Sequence, residues 1–263
     1  MSSNRTIIRL AAHVLLLASL LGACGEQTAP PRHREYIGQT SEASPLAGTE
    51  LTIRDHHDHE LHVRIDAVHP AALRASSPLT MYEVSRLDED SGRWVPYCQR
   101  GPDGLQLAIP LAGRWPGGGA RFVEDPEDFT LTCTAGANGK CARMGYLPGM
   151  TAHGRSLTPY FEACVRAMRA DYCGDGRSFT RAGTPVELRD GVGQQPRWYS
   201  EALRFEAAWG PEGALCVRRS RIPDLVSTEA LAERCPSLRG AVGETCDEQI
   251  LASMPGVLLL NHS

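Results

Sequence analysis

An α+β fold, strand-rich, disulfide-stabilised and with only a few short helices, is predicted for this 263-residue chain. Three observations predict it. Short runs in the first half alternate apolar and polar residues, the period of a half-buried strand. One later segment, opening at Thr158, repeats its apolar residues at helical spacing. Eight cysteines follow an export-type N-terminus, and an even number of cysteines in an exported chain reads as a disulfide framework.

The first 23 residues read as a leader rather than as part of the fold. Arg5 and Arg9 form a basic start without acids, Leu10 to Leu21 form a short apolar core, and Leu21-Gly22-Ala23-Cys24 closes it. That order is the pattern of a bacterial lipoprotein signal: small residues precede a cysteine that is acylated and becomes the mature N-terminus. The apolar stretch is short for a membrane span. Cys24 is therefore the expected lipidation site, and several acyl chains anchor a protein more firmly than one. Gly25, where an aspartate would favour retention at the inner membrane, favours the outer one. Residues 24–46 are polar, proline-containing and nearly free of aliphatic side chains, the composition of a flexible tether. Residues 47–263 remain as a single expected domain.

The strands are expected in order. GTELTIRD and ELHVRIDAV alternate around a polar centre and read as a hairpin. MYEVSRL, RWVPYC, LQLAIPL and FTLTC are short, rich in β-branched or aromatic residues, and separated by Gly, Pro and Asp clusters. Asn138-Gly139 would turn a second hairpin between FTLTC and KCARMGY. A further hairpin is expected over Gly210-Pro211-Glu212-Gly213, and TEALAERC reads as a short helix running into Cys235.

The clearest helix opens at Thr158-Pro159, with Thr158 as the expected cap and proline where no hydrogen bond is lost. Phe161, Cys164, Val165 and Met168 form its apolar stripe, and Glu162 and Arg166 an i, i+4 pair on the other side. Gly174 and Gly176 are expected to end it, Gly174 by taking a positive φ. Tyr172 then packs inward and Cys173 bonds outward. Asp171, an acid near a helix C-terminus, opposes the dipole. It therefore needs a donor, from the Gly174-Asp175-Gly176 turn or from Arg177 or Arg181.

The disulfide candidates are Cys98, Cys133, Cys141, Cys164, Cys173, Cys216, Cys235 and Cys246. Spacing alone does not choose among their pairings, but it rejects one. Nine residues of helix would separate Cys164 and Cys173 by about 13 Å, whereas bridged Cα atoms lie within about 7 Å.

Asp55-His56-His57-Asp58-His59-Glu60-Leu61-His62 is dense in metal-ligating types, with His56, His57, His59 and His62 as candidate ligands. Its final His-Glu-Leu-His has one residue too few for the HExxH spacing, and the run sits where a hairpin needs a solvated turn. Nucleophile and phosphate motifs are missing. Gly154-Arg155-Ser156 runs into Leu157-Thr158 rather than a glycine, and GANGKC has Thr134 and Cys141 where a phosphate loop needs glycine and a hydroxyl. The Asp171/Asp175 spacing is not that of an EF-hand. His153, Asp171 and Asp175 remain as loose candidates for a functional site, and no cofactor is called for.

Ala170-Asp171-Tyr172-Cys173 carries a resemblance to the ADYC-domain family of bacterial secreted and lipoprotein-like chains. Ala108 to Trp115, Phe129 to Cys133, Gly174-Asp175-Gly176, Thr180 to Thr184 and Phe205 to Cys216 add to it, so that it spans roughly residues 90–222. The resemblance implies kinship without implying chemistry. Family members tend to carry a Trp near Gly149 and a His near Phe179; this chain has neither.

Removing residues 1–23 takes away two arginines and no acid, which leaves a charge of about −6 and nothing to draw the domain to nucleic acid. The expected function is that of a non-catalytic envelope domain, tied to the membrane by its lipid and binding a protein or glycan. The alternatives are an exported hydrolase with an unrecognised site and a metal-binding lipoprotein using residues 55–62.

Overall fold

The alternating segments of the first half assemble into one antiparallel sheet. The computed structural model describes residues 46–55, 59–73, 77–114, 121–125, 127–195, 200–251 and 255–263. Cys24, His56 and His57 lie outside these. Strands β1 (Glu50–Arg54), β2 (Glu60–Leu73), β3 (Ser77–Asp88), β4 (Arg93–Pro96), β5 (Ala108–Ala112) and β6 (Phe129–Cys133) follow one another. They pair in the order β1-β2-β3-β5-β6, with β4 also on β3. Val63, Val84, Cys98 and Ala108 form the apolar cluster of one face.

Helix α1 (Ala137–Arg143) comes next, then a two-stranded turn, β7 (Thr151–Ala152) and β8 (Arg155–Ser156), and helix α2 (Thr158–Arg169). A second antiparallel sheet is built from β9 (Glu187–Asp190), β10 (Phe205–Gly210), β11 (Gly213–Val217) and, after the short helices α3 (Thr228–Arg234) and α4 (Glu248–Leu251), β12 (Leu259–His262). Its order is β11-β10-β12-β9, so the last strand of the chain lies between two earlier ones. Helix α2 packs on this sheet and on α1, with Phe161, Ala163, Cys164 and Ala167 fully buried. Burying a side chain such as Phe161 is worth about 1.5–3 kcal/mol.

The eight cysteines make four disulfides: Cys98–Cys133, Cys141–Cys164, Cys173–Cys235 and Cys216–Cys246. Cys164 and Cys173 thus tie the middle and the exit of α2 to different elements.

Four local expectations are corrected. Asn138-Gly139 does not turn a hairpin; both residues lie in α1. The helix brings Cys141 to Cys164 and packs on the end of β6 so closely that a Cβ on Gly139 would lie 2.2 Å from the Cys133 carbonyl oxygen. Glycine stands there for that contact and not for a turn. Thr158 does not cap α2: Leu157 occupies the cap position, and the Thr158 hydroxyl bonds to Glu124 instead. The helix ends at Ala170, whose φ is 51°, and not at Gly174. There Asp171 N–H returns to Arg166 C=O at 2.9 Å, a Schellman closure. Finally, Glu162 and Arg166 do not face solvent. Both are buried, because α2 is covered on that side too, and each finds another partner there: Phe122 N–H for Glu162 and Asp171 for Arg166. Burial holds the Glu162 carboxyl above its usual range, against those donors.

Candidate functional site

All four residues of the Ala170-Asp171-Tyr172-Cys173 tetrapeptide are used inside the fold. Ala170, with no exposed surface, holds the positive φ that closes α2. Asp171, equally buried, accepts from Arg166 Nη1 at 2.5 Å and from Gly176 N–H at 3.0 Å. The expectation of a donor in the glycine turn is met by Gly176, while the arginine is Arg166 rather than Arg177 or Arg181. Cys173 bonds Cys235. Gly174 continues the segment under the β10–β11 turn, where a Cβ would lie 1.7 Å from the Glu212 carbonyl oxygen at a φ of +70°. No side chain fits that approach.

Tyr172 reaches furthest. Its ring stacks on Trp209 at 5.4 Å, and its hydroxyl donates to Glu206 Oε1 at 3.0 Å while accepting from Arg221 N–H at 2.8 Å. Arg221 closes the set, donating to both Glu206 oxygens (2.9 and 3.0 Å) and to the α2 carbonyls of Ala167 (2.6 Å) and Met168 (3.0 Å). The side chains of Arg221 and Glu206 are wholly buried. Burial, reinforced by the Glu206 charge, pushes the Tyr172 phenol well above its usual range. Glu206, Arg221 and Tyr172 are bonded to one another, so this network is a helix terminator and a sheet anchor. We expect Asp171→Asn, which keeps the shape and loses the charge facing Arg166, to cost about 1.5–3 kcal/mol. A thermal melt checks it; an unchanged melting temperature would contradict the assignment.

The other sequence candidates stand apart from one another. His153 occupies the β7–β8 turn at a φ of 49°, a conformation that histidine adopts more readily than most residues. Asp175 is half-exposed and pairs with Arg177 at 3.7 Å. In the β1–β2 turn His59 lies 3.4 Å from Asp55, and His62 Nδ1 lies 3.3 Å from Thr52 Oγ1 across the hairpin. Among the described residues no group of three or more His, Cys, Asp or Glu side chains is placed to hold a metal.

The polar set that does open to solvent was not read from the sequence. A cleft of about 410 Å³ lies between the β2–β3 face and the segment 100–107, lined by Asp66, His69, Glu83, Ser85, Arg100 and Gln106 among others. A β-bulge creates it. Ile65 pairs with Val84 and Ala67 with Glu83, leaving Asp66 as the extra residue. One inserted residue reverses the parity of everything after it, so His69 joins Arg64 and Asp66 on one face. Val68 joins Val63 on the other. The signal was present in ELHVRIDAV, where the large apolar residues sit at 61, 63 and 65 and then at 68, with only Ala67 between. That phase slip marks the bulge.

Beside the cleft, Arg64 Nε and Nη2 both lie 2.8 Å from Oδ1 of the lining residue Asp66, and the Arg64 guanidinium rests 4.5 Å over the Trp94 ring. Ser85 donates its hydroxyl proton to Asp66 Oδ2. His69 Nε2 faces Glu83 Oε1 at 3.2 Å. Across the gap Arg100 donates to the Gly104 carbonyl (2.8 Å) and to Gln106 Oε1 (3.1 Å), and Gln106 donates to the Cys98 carbonyl (2.9 Å). An activated serine needs a base turned toward it and held from behind. Here the imidazole turns to Glu83, and the carboxylate that meets Ser85 already shares its charge with Arg64. The arrangement is a row of oriented donors and acceptors, suited to hydrogen-bonding a polar ligand.

The four disulfides are those of an extracellular type of domain. The chain belongs to the ADYC domain family, whose model matches residues 43–223. No curated protein and no solved structure matches it. Among the described residues no helix is long and apolar enough to cross a membrane.

Proposed function

We propose that this chain is a lipid-anchored cell-envelope domain, held at the outer membrane through Cys24, whose cleft on the first sheet binds a glycan. The observation that carries the binding reading is the bulge at Asp66, which gathers Asp66, His69, Glu83 and Ser85 on one face opposite Arg100 and Gln106. Carboxylate, imidazole, guanidinium and amide groups in one cleft offer acceptors and donors side by side, the complement of adjacent sugar hydroxyls. Each carboxylate of the cleft already faces a base, Arg64 for Asp66 and His69 for Glu83, which favours a neutral polyol over a strongly charged ligand. Trp94 lies two residues before the cleft residue Pro96 on β4, hence on the same face, next to the polar row. The Leu-Gly-Ala-Cys motif and the polar segment that follows support the anchor and a tether that lets the domain clear the membrane.

One preparation tests both parts. Cys24→Ser protein is expected to go unprocessed as a lipoprotein and to lose its acyl modification; mass spectrometry that finds Cys24 unmodified in the wild-type mature protein overturns the anchor reading and leaves the cleft reading standing. The detergent-solubilised wild-type protein is then titrated with oligosaccharides released from the producer's own envelope. The His69→Ala/Glu83→Gln variant is expected to bind about tenfold or more weakly at an unchanged melting temperature. Binding undiminished by those substitutions, or none to any fraction, overturns the glycan reading.

A further inference from the structure

A second cavity, of about 410 Å³, lies on the other sheet, between the β7–β8 turn and the segment leading into β12. Its apolar wall is made by Val257, Leu258 and Leu260, and its polar residues include Arg155, Tyr160 and Arg189. Tyr160 is 5% exposed and stacks on Tyr146, with ring planes within 10° of parallel. The hydroxyl is therefore fixed in place. Among the described residues it meets one polar group, Arg155 Nη1 at 3.5 Å, and that group is itself a donor. Arg155 Nη1 donates to the Tyr160 oxygen, and among the described residues no oxygen is placed to accept the phenolic proton.

The acids nearby do not fill that role. Asp190 is taken by Tyr146 Oη (2.6 Å) and by the N–H groups of Val192, Gln194 and Gln195 (2.8, 3.2 and 2.9 Å). Glu248 lies 3.4 Å from Arg189 and 3.1 Å from His262 Nε2. We infer that this cavity is a binding site for a small amphipathic carboxylate, its oxyanion between Arg155 and the Tyr160 hydroxyl and its apolar body along Val257, Leu258 and Leu260. A charged acceptor there completes both donors at once, and a cavity of this size takes a small organic molecule. The site is separate from the cleft on the first sheet and does not depend on it.

The test uses the detergent-solubilised wild-type chain with hexanoate and hexan-1-ol, which share an apolar body and differ in the head group. Hexanoate is expected to bind about tenfold or more tightly than the alcohol. Arg155→Gln, at an exposed position, and Tyr160→Phe, which keeps the stacked ring, are each expected to reduce that preference about tenfold. The melting temperature of the unliganded Arg155→Gln protein stays unchanged. Equal binding of acid and alcohol, binding of neither, or a preference that survives both substitutions overturns the inference.

Discussion

A chain ended at Pro223, where the family match stops, is expected not to fold. The segment from 224 onward supplies β12, which pairs with β10 on one side and β9 on the other. Without it the second sheet splits, and Trp209 Nε1 loses Asn261 Oδ1, its acceptor at 2.7 Å. Leu231, Leu238 and Leu259, all fully buried, go with it. So do Cys235 and Cys246, which strands Cys173 and Cys216 as free thiols. Each lost native disulfide alone costs about 2–5 kcal/mol, against a net stability of about 5–15 kcal/mol for a whole domain. The truncated protein should show no cooperative thermal transition and two extra reactive thiols. A sharp melt from a chain ending at residue 223 would falsify the integral role of β12.

Arg221→Ala is expected to be the most damaging single substitution. It removes the cation from a fully buried carboxylate, Glu206, and takes the guanidinium donors from the Ala167 and Met168 carbonyls of α2, while the backbone N–H that meets the Tyr172 hydroxyl remains. Breaking a buried pair from one side costs about 3–5 kcal/mol, because the remaining charge has no solvent. In a domain of this size each kcal/mol moves the melting temperature by about 2–4 °C, so a drop of roughly 6–20 °C follows. The double variant Glu206→Leu/Arg221→Met should recover part of the loss, since it strands no charge. A double variant less stable than the single would show that the shape of the network matters more than its charge.

The strand-rich half of the fold was legible because period-two alternation survives in short segments. The β1–β2 hairpin and the β10–β11 hairpin lie where the alternation and the turn residues place them. The apolar stripe of Phe161, Cys164, Val165 and Met168 likewise located α2. Asn138-Gly139 misled because a local turn signal was outweighed by a tertiary contact, the packing of Gly139 on the Cys133 backbone. Ala170 carries no local signal of a helix stop, because a positive φ costs glycine least, and an alanine takes it here only where the closing bonds to Arg166 and Ala167 impose it. The candidate cleft was harder. Its residues stand far apart in the sequence, at 66–69, 83–85 and 100–106, and a pairing register joins them that no single segment contains. Only the one-residue slip in ELHVRIDAV pointed to it.

The pattern of the four disulfides bears on how the chain is made. Cys98–Cys133 and Cys141–Cys164 each join neighbours in cysteine order and can close one after the other as the chain is threaded out of the cell. The last two interleave: Cys173 passes over Cys216 to reach Cys235, and Cys216 passes over Cys235 to reach Cys246. An oxidant that joins cysteines in order of emergence would make 173–216 and 235–246. Reaching the native pairs then requires an isomerase-type exchange, thiolate attacking disulfide, or a delay in oxidation until β12 has docked. Biogenesis of this domain therefore depends on a compartment that either reshuffles bonds or withholds the last two until β12 is in place.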